Sequence, residues 1–184
     1  MLGNKICKWF CLILVLFLVT ACGSDTMKDV MKEVESTDLT NESIDDMKVG
    51  MSINDESFRI EEDNFEPHPD NEYYSTERNY DQYWNEEIIM SVDRETQEIL
   101  QVGMMENNET SSSAMGIKIG SSIDEVIEAY GENYFTYEDN EQSIHIIGYV
   151  DHPNNLQLSF VHIDDKVIGI NIGYAFDRIN WEEQ

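Results

Sequence analysis

Cysteine is scarce in this chain: three among 184 residues, at positions 7, 11 and 22. From Gly23 onward no disulfide, thiol nucleophile or cysteine-based metal site can form, so stability there rests on packing. Basic residues are also few, with 11 Lys and Arg against 38 Asp and Glu and a net charge of −27. That balance disfavours nucleic acid and anionic lipid as partners, and its simplest use is solubility outside a cell. Catalytic signatures are missing as well: there is no HExxH, GxSxG, P-loop or dinucleotide fingerprint. The acidic runs Asn54–Glu56 and Glu61–Asn64 lack the glycine and alternating oxygens of an EF-hand loop. Ser111–Ser113 has no Lys or His placed by sequence to activate it. The four histidines, 68, 145, 152 and 162, show no i, i+4 pair. His145, His152 and His162 can meet only across adjacent strands, near Asp151 or Asp164, and exposed histidines of a meander explain them equally well. No cofactor and no metal site are expected.

What the chain does have begins at its N terminus. Lys5 and Lys8 precede an uncharged apolar run, Trp9–Val19, of signal-peptide rather than membrane-spanning length. Val19-Thr20-Ala21-Cys22 then has the form of a lipobox, an aliphatic residue and two small ones before a cysteine. It resembles the export signal of bacterial lipoproteins, which implies cleavage between Ala21 and Cys22 and a diacylglyceryl group on the Cys22 thiol. The expected location is the extracytoplasmic face of a bacterial, Gram-positive, cell membrane.

Residues 22–46 are acidic and polar, and are expected to be a flexible tether. Met27, Val30, Met31 and Val34 allow a short amphipathic helix inside it. Residues 115–184 give the clearest pattern. Gly116–Gly120 reads as a short strand or extended lead-in. Ser122-Ile123-Asp124-Glu125 is a capping box, the apolar face Ile123, Val126, Ile127, Tyr130 follows, and Gly131 suits a C-cap. Strands are then expected over 134–137, 143–150, 156–160 and 168–174, with turns at 151–155 and 164–166. Residues 47–106 look like a degenerate copy. Lys48–Asp55 aligns with Lys118–Glu125, and Ile88–Val92, a polar turn and Ile99–Met104 mirror the final hairpin. Pro67 and Pro69 make the middle of that half a loop, and residues 107–114 a linker. The expected fold is α+β: two tandem helix-plus-antiparallel-meander repeats, the first degenerate, after signal and tether.

The run Gly120-Ser121-Ser122-Ile123-Asp124-Glu125-Val126, then Tyr130-Gly131, then a meander through Lys166–Ile170, resembles small exported bacterial modules. These include the beta-lactamase inhibitor protein, the small lipoprotein of the outer-membrane barrel-assembly machinery and the CAP-associated domain. The resemblance implies a helix-plus-meander fold used for protein contacts at the envelope, and it transfers no catalytic residue. Two aromatic clusters are the candidate binding surface: Tyr73, Tyr74, Tyr80, Tyr83 and Trp84, and Tyr134 with Tyr137. Such side chains bury large area at low entropic cost, on a concave sheet face in this reading. Trp181 is expected to fasten the C-terminal tail. The expected role is a lipid-anchored, non-enzymatic interaction module with a protein or cell-wall partner. The alternatives are a surface hydrolase using carboxylate and histidine chemistry, or a ligand or ion sensor.

Overall fold

Alternating apolar residues build strands in both halves of the chain. A computed structural model describes residues 26–55, 64–104, 106–108, 110–139 and 144–179. The signal, Cys22 and Trp181 lie outside these residues. Eight strands run as β1 Glu66–Pro67, β2 Tyr80–Trp84, β3 Ile88–Asp93, β4 Ile99–Met104, β5 Phe135–Asp139, β6 Ile144–Asp151, β7 Leu156–Ile163 and β8 Lys166–Tyr174. Among the described residues helices are few and short: α1 Met27–Glu33 and α2 Ile123–Tyr130, with a 3-10 turn at Pro69–Asn71. All the strands join one antiparallel sheet in the order β1-β2-β3-β4-β8-β7-β6-β5. Two four-stranded meanders thus meet side by side, β4 against β8. The architecture is α+β, dominated by the sheet.

Local chemistry accounts for the elements. Ser122 Oγ accepts the Glu125 N–H at 3.3 Å, while Glu125 Oε2 accepts the Ser122 N–H at 2.7 Å, so both ends of the capping box are made. Gly131, at φ +90°, ends α2, and its N–H reaches the Ile127 carbonyl at 2.8 Å. The β7–β8 turn places Asp164 and Asp165 at φ +49° and +59°, the left-handed pair that suits a tight hairpin.

Two expectations need correction. Gly116–Gly120 forms no strand: residues 116–118 are irregular and 119–120 a turn, with Gly116 and Gly120 at φ +84° and +88°. It straps the last hairpin: Gly120 N–H donates to Val167 O at 2.7 Å, and Val167 N–H to Ser121 O at 2.9 Å. A matching strap lies in the first half, where Gly50 N–H donates to Ile99 O at 2.9 Å and Ile99 N–H to Met51 O at 2.8 Å. The second correction concerns residues 26–46, which do not hang free. Met31 of α1 packs with Phe135, Val150 and Ala175, and Leu39 and Ile44 are buried in the main core. Asp151, itself 2 % exposed, accepts the Leu39 N–H at 2.9 Å, and Val150 O accepts the Thr37 N–H at 2.8 Å. Isolated apolar residues in a polar stretch give no periodic signal, so their burial escapes pattern reading.

The two faces of the sheet differ. One inner row, Tyr83, Met90, Val102, Ile172, Leu158, Tyr149, crosses six strands. It packs beneath Leu39, Ile44, Met47, Ile53, Ile117 and Val126, so the 39–53 segment and α2 cover this face. On the other face, among the described residues, α1 packs at the β5–β6 end, through Met31, Phe135 and Val150.

Gly148 tests the packing at that end. A Cβ there would stand 2.5 Å from Phe135 Cζ and 3.0 Å from the Leu158 carbonyl. Gly148→Ala is expected to lower urea-unfolding stability by about 1–3 kcal/mol. Gly169→Ala, whose Cβ meets nothing nearer than 3.5 Å, should change it little by comparison.

Candidate interaction surface

Side-chain alternation sends the polar positions of the central strands to the outer face. Two rows define it. The first runs Trp84, Ile89, Gly103, Asn171, Ser159, Gly148, Phe135; the second runs Gln82, Ser91, Gln101, Gly173, Gln157, Val150. From β2 to β5 neither row contains an ionisable side chain, in a chain whose net charge is −27, and Glu66 of β1, opposite Trp84, adds a carboxylate at the rim of the first. The amides lie across glycines. A Cβ on Gly173 would meet Gln101 Cγ at 3.3 Å, and one on Gly103 would meet Asn171 Nδ2 at 3.4 Å. The result is a floor of amides and small residues over the β4–β8 junction. Gln157 Oε1 and Asn171 Oδ1 are buried there with no hydrogen-bond donor among the described residues. Buried acceptors left unpaired are costly, and a donor brought to them is favoured.

The structure separates the seven aromatics instead of gathering them. Tyr83 faces inward and packs on the main core. Tyr134 also packs on that core, edge-on to Tyr149 with ring centroids 6.4 Å apart. Tyr80 is buried, 7 % exposed, with the Arg78 guanidinium 5.0 Å from its ring. Arg78 also lies over Tyr74 at 5.1 Å and donates to Asn71 Oδ1 at 2.9 Å and Gln82 Oε1 at 3.0 Å. Tyr74 meets Tyr73 at 4.7 Å, and Tyr73 is 75 % exposed. Trp84 stands near the end of the first outer row, opposite Glu66 of β1, its ring 5.0 Å from His68. Tyr137 is half-buried on β5, opposite Ile146. Trp84 therefore remains at the edge of the outer face, Tyr73 and Tyr74 stand on the 72–79 loop before β2, and the others serve the fold or its flank. The amide floor was missed because isolated Gln, Asn and Ser at alternate strand positions look like ordinary solvent-facing residues. Their alternation with Leu156, Leu158 and Phe160 was the available signal.

The buried carboxylates are committed to structure. Glu42, 6 % exposed, accepts the Ala114 N–H at 2.7 Å and the Ser43 N–H at 3.1 Å through Oε1, and the Tyr130 hydroxyl at 2.8 Å through Oε2. Tyr130 Oη also lies 2.8 Å from Ser113 Oγ. Burial, with the Glu42 charge adding to it, lifts the Tyr130 hydroxyl well above the usual phenol range and keeps it a donor. Asp151 accepts the Leu39 N–H and both the main-chain and side-chain N–H groups of Asn154. Burial, reinforced by the Glu98 carboxylate it donates to, pushes Tyr174 up to about 12. Of the three histidines named on strands and turns, only two meet. His145 and His162 face each other with ring centroids 5.7 Å apart, whereas His152 stacks on Phe176 and bonds to the Val34 carbonyl at 2.9 Å. Burial, then the charge of His145, lowers the His162 pKa.

Compared with protein-family models, curated proteins and solved structures, the chain finds no match.

The two kinds of tyrosine are separable by stability. Tyr80→Ala removes a buried ring and the cover over Arg78, and should cost about 3–5 kcal/mol in chemical unfolding. Tyr73→Ala, at an exposed position, should stay within about 0.5 kcal/mol of the parent.

Proposed function

We propose that the chain is a lipid-anchored, non-enzymatic binding module at the extracytoplasmic face of a Gram-positive bacterial membrane, taking a protein or cell-wall partner. The observation that carries this reading is the outer face: amides and small residues, no charge in either row from β2 to β5, and two buried amide oxygens without donors among the described residues. In so acidic a chain a face uncharged across its centre, with carboxylates only at its margin such as Glu66 and Asp93, lacks the repulsion that keeps the rest of the surface apart from other molecules. Gln101, Gln157 and Asn171 offer donors and acceptors that a partner's backbone or hydroxyl groups can pair. Trp84 adds an aromatic anchor at one end. Cys22 supplies the membrane attachment in this reading, and among the described residues no helix is long and apolar enough to cross a membrane. α1 then begins five residues after the lipid-bearing cysteine, so the module is held close to the bilayer, not on a long tether.

We also infer that the two meanders descend from one duplicated unit. Several matched features support it. The straps of Gly50 and Gly120 make equivalent hydrogen bonds, and Ile53 N–H to Gln97 O at 3.0 Å is echoed by Ile123 N–H to Asp165 O at 3.2 Å. Each closing hairpin shifts register at the same place, between Ser91 and Val92 and between Val161 and His162. Where α2 starts in the second unit, the described residues of the first form a turn at Ile53–Asn54. This arrangement is the one expected of the helix-plus-meander modules that the Gly120–Val126 motif resembles.

A photo-cross-linking amino acid tests the proposed surface in the native envelope. Placed at Gln101 or Gln157, it should give a discrete adduct, and Trp84→Ala should reduce the yield severalfold. Placed at Asp124, exposed on α2, it should give none. Equal labelling at all three positions, or adducts only from Asp124, contradicts the assignment of the face. In the same cells Cys22→Ser should move the protein out of the membrane fraction.

A further inference from the structure

We propose that His145 and His162 form a two-histidine site for a divalent late first-row metal, such as zinc or copper. The two residues are directly opposed in the β6–β7 ladder, so both project from the same face of the sheet. Their ring centroids are 5.7 Å apart and their planes are inclined by 36°. A tetrahedral ion bound about 2.0–2.1 Å from one nitrogen of each imidazole would hold the ring centres about 5 Å apart. A small side-chain rotation closes that difference. Both residues keep access to solvent, His162 in part and His145 openly, so an ion can reach them.

The neighbours suit a cation. Glu138 opposes His145 from β5, with Oε1 3.6 Å from Nδ1. A side-chain rotation of a few tenths of an ångström would bring that carboxylate into hydrogen-bond reach of Nδ1 and leave Nε2 to the metal, the role outer carboxylates play at histidine sites. Among the described residues no three His, Cys, Asp or Glu side chains are arranged to hold one ion. The site is accordingly an open chelate: two protein nitrogens, with the remaining positions left to water or to a donor from another molecule. Imidazole selects zinc, copper and nickel over magnesium and calcium. His152, fixed against Phe176, is not part of it.

Calorimetric titration of the full chain in detergent, its cysteines alkylated, tests the site with zinc as probe. One saturable binding event is expected, absent with magnesium. His145→Gln and His162→Gln should each abolish it, and Glu138→Gln should weaken it about 10–100-fold. Zinc should raise the melting temperature of the parent chain but not of the histidine variants, which should otherwise melt with the parent. No saturable binding at millimolar zinc, or undiminished binding in the His145→Gln/His162→Gln double variant, overturns the proposal.

Discussion

β4 and β8 close their respective meanders, and the rest of the molecule depends on their pairing. Four ladder positions, from Gln101 opposite Gly173 to Met104 opposite Ile170, join two sheets that are otherwise built from local hairpins. Hairpin contacts close short loops, but this junction joins segments far apart in sequence and carries a larger entropy cost. The inner face supplies the compensation: Val102 and Ile172, opposed at the junction, are 0 % and 1 % exposed. The 39–53 segment and α2 share one core above them. Above the same strands on the other side, Gln101 and Asn171 lie over Gly173 and Gly103. The pairing that completes the core thus also creates the proposed contact surface. The outer edges are managed separately. β1 is two residues long and ends in Pro67, a blunt edge, while α1 packs beside β5.

Much of the second half was legible in the sequence because its signals are local. Ser122 and Glu125 sit at capping spacing, Gly131 follows the last apolar residue of the helix, and Leu156, Leu158 and Phe160 alternate cleanly. What escaped depends on contacts distant in the chain. Leu39 and Ile44 are ordered by residues from the far end of the sequence, including Asp151, so their segment reads as a tether. Gly116–Gly120 has the composition of a strand, yet its glycines take up positive φ to strap the final hairpin. The tyrosines show a third limit. Tyr83 and Trp84 are adjacent in the sequence and therefore point to opposite faces, and composition alone cannot say which face is covered.

The separation of charge and neutrality gives the fold its proposed use. Acidic residues dominate the sequence as a whole, while the central outer rows carry amides, small residues and one tryptophan rim. Buried acids such as Glu42 and Asp151 accept backbone N–H groups and so hold the N-terminal segment in place. Function in this account resides in a surface held rigid by non-local packing.

Native-state hydrogen exchange across a denaturant series tests the dependence on the β4–β8 junction most directly. Amides of β3 and β4 and those of β7 and β8 should converge on one unfolding free energy, because neither meander persists without the shared core. If β7–β8 amides stay protected after β3–β4 amides have exchanged through a separate, lower-energy opening, the two meanders are independent units, and the junction does not have the role given to it.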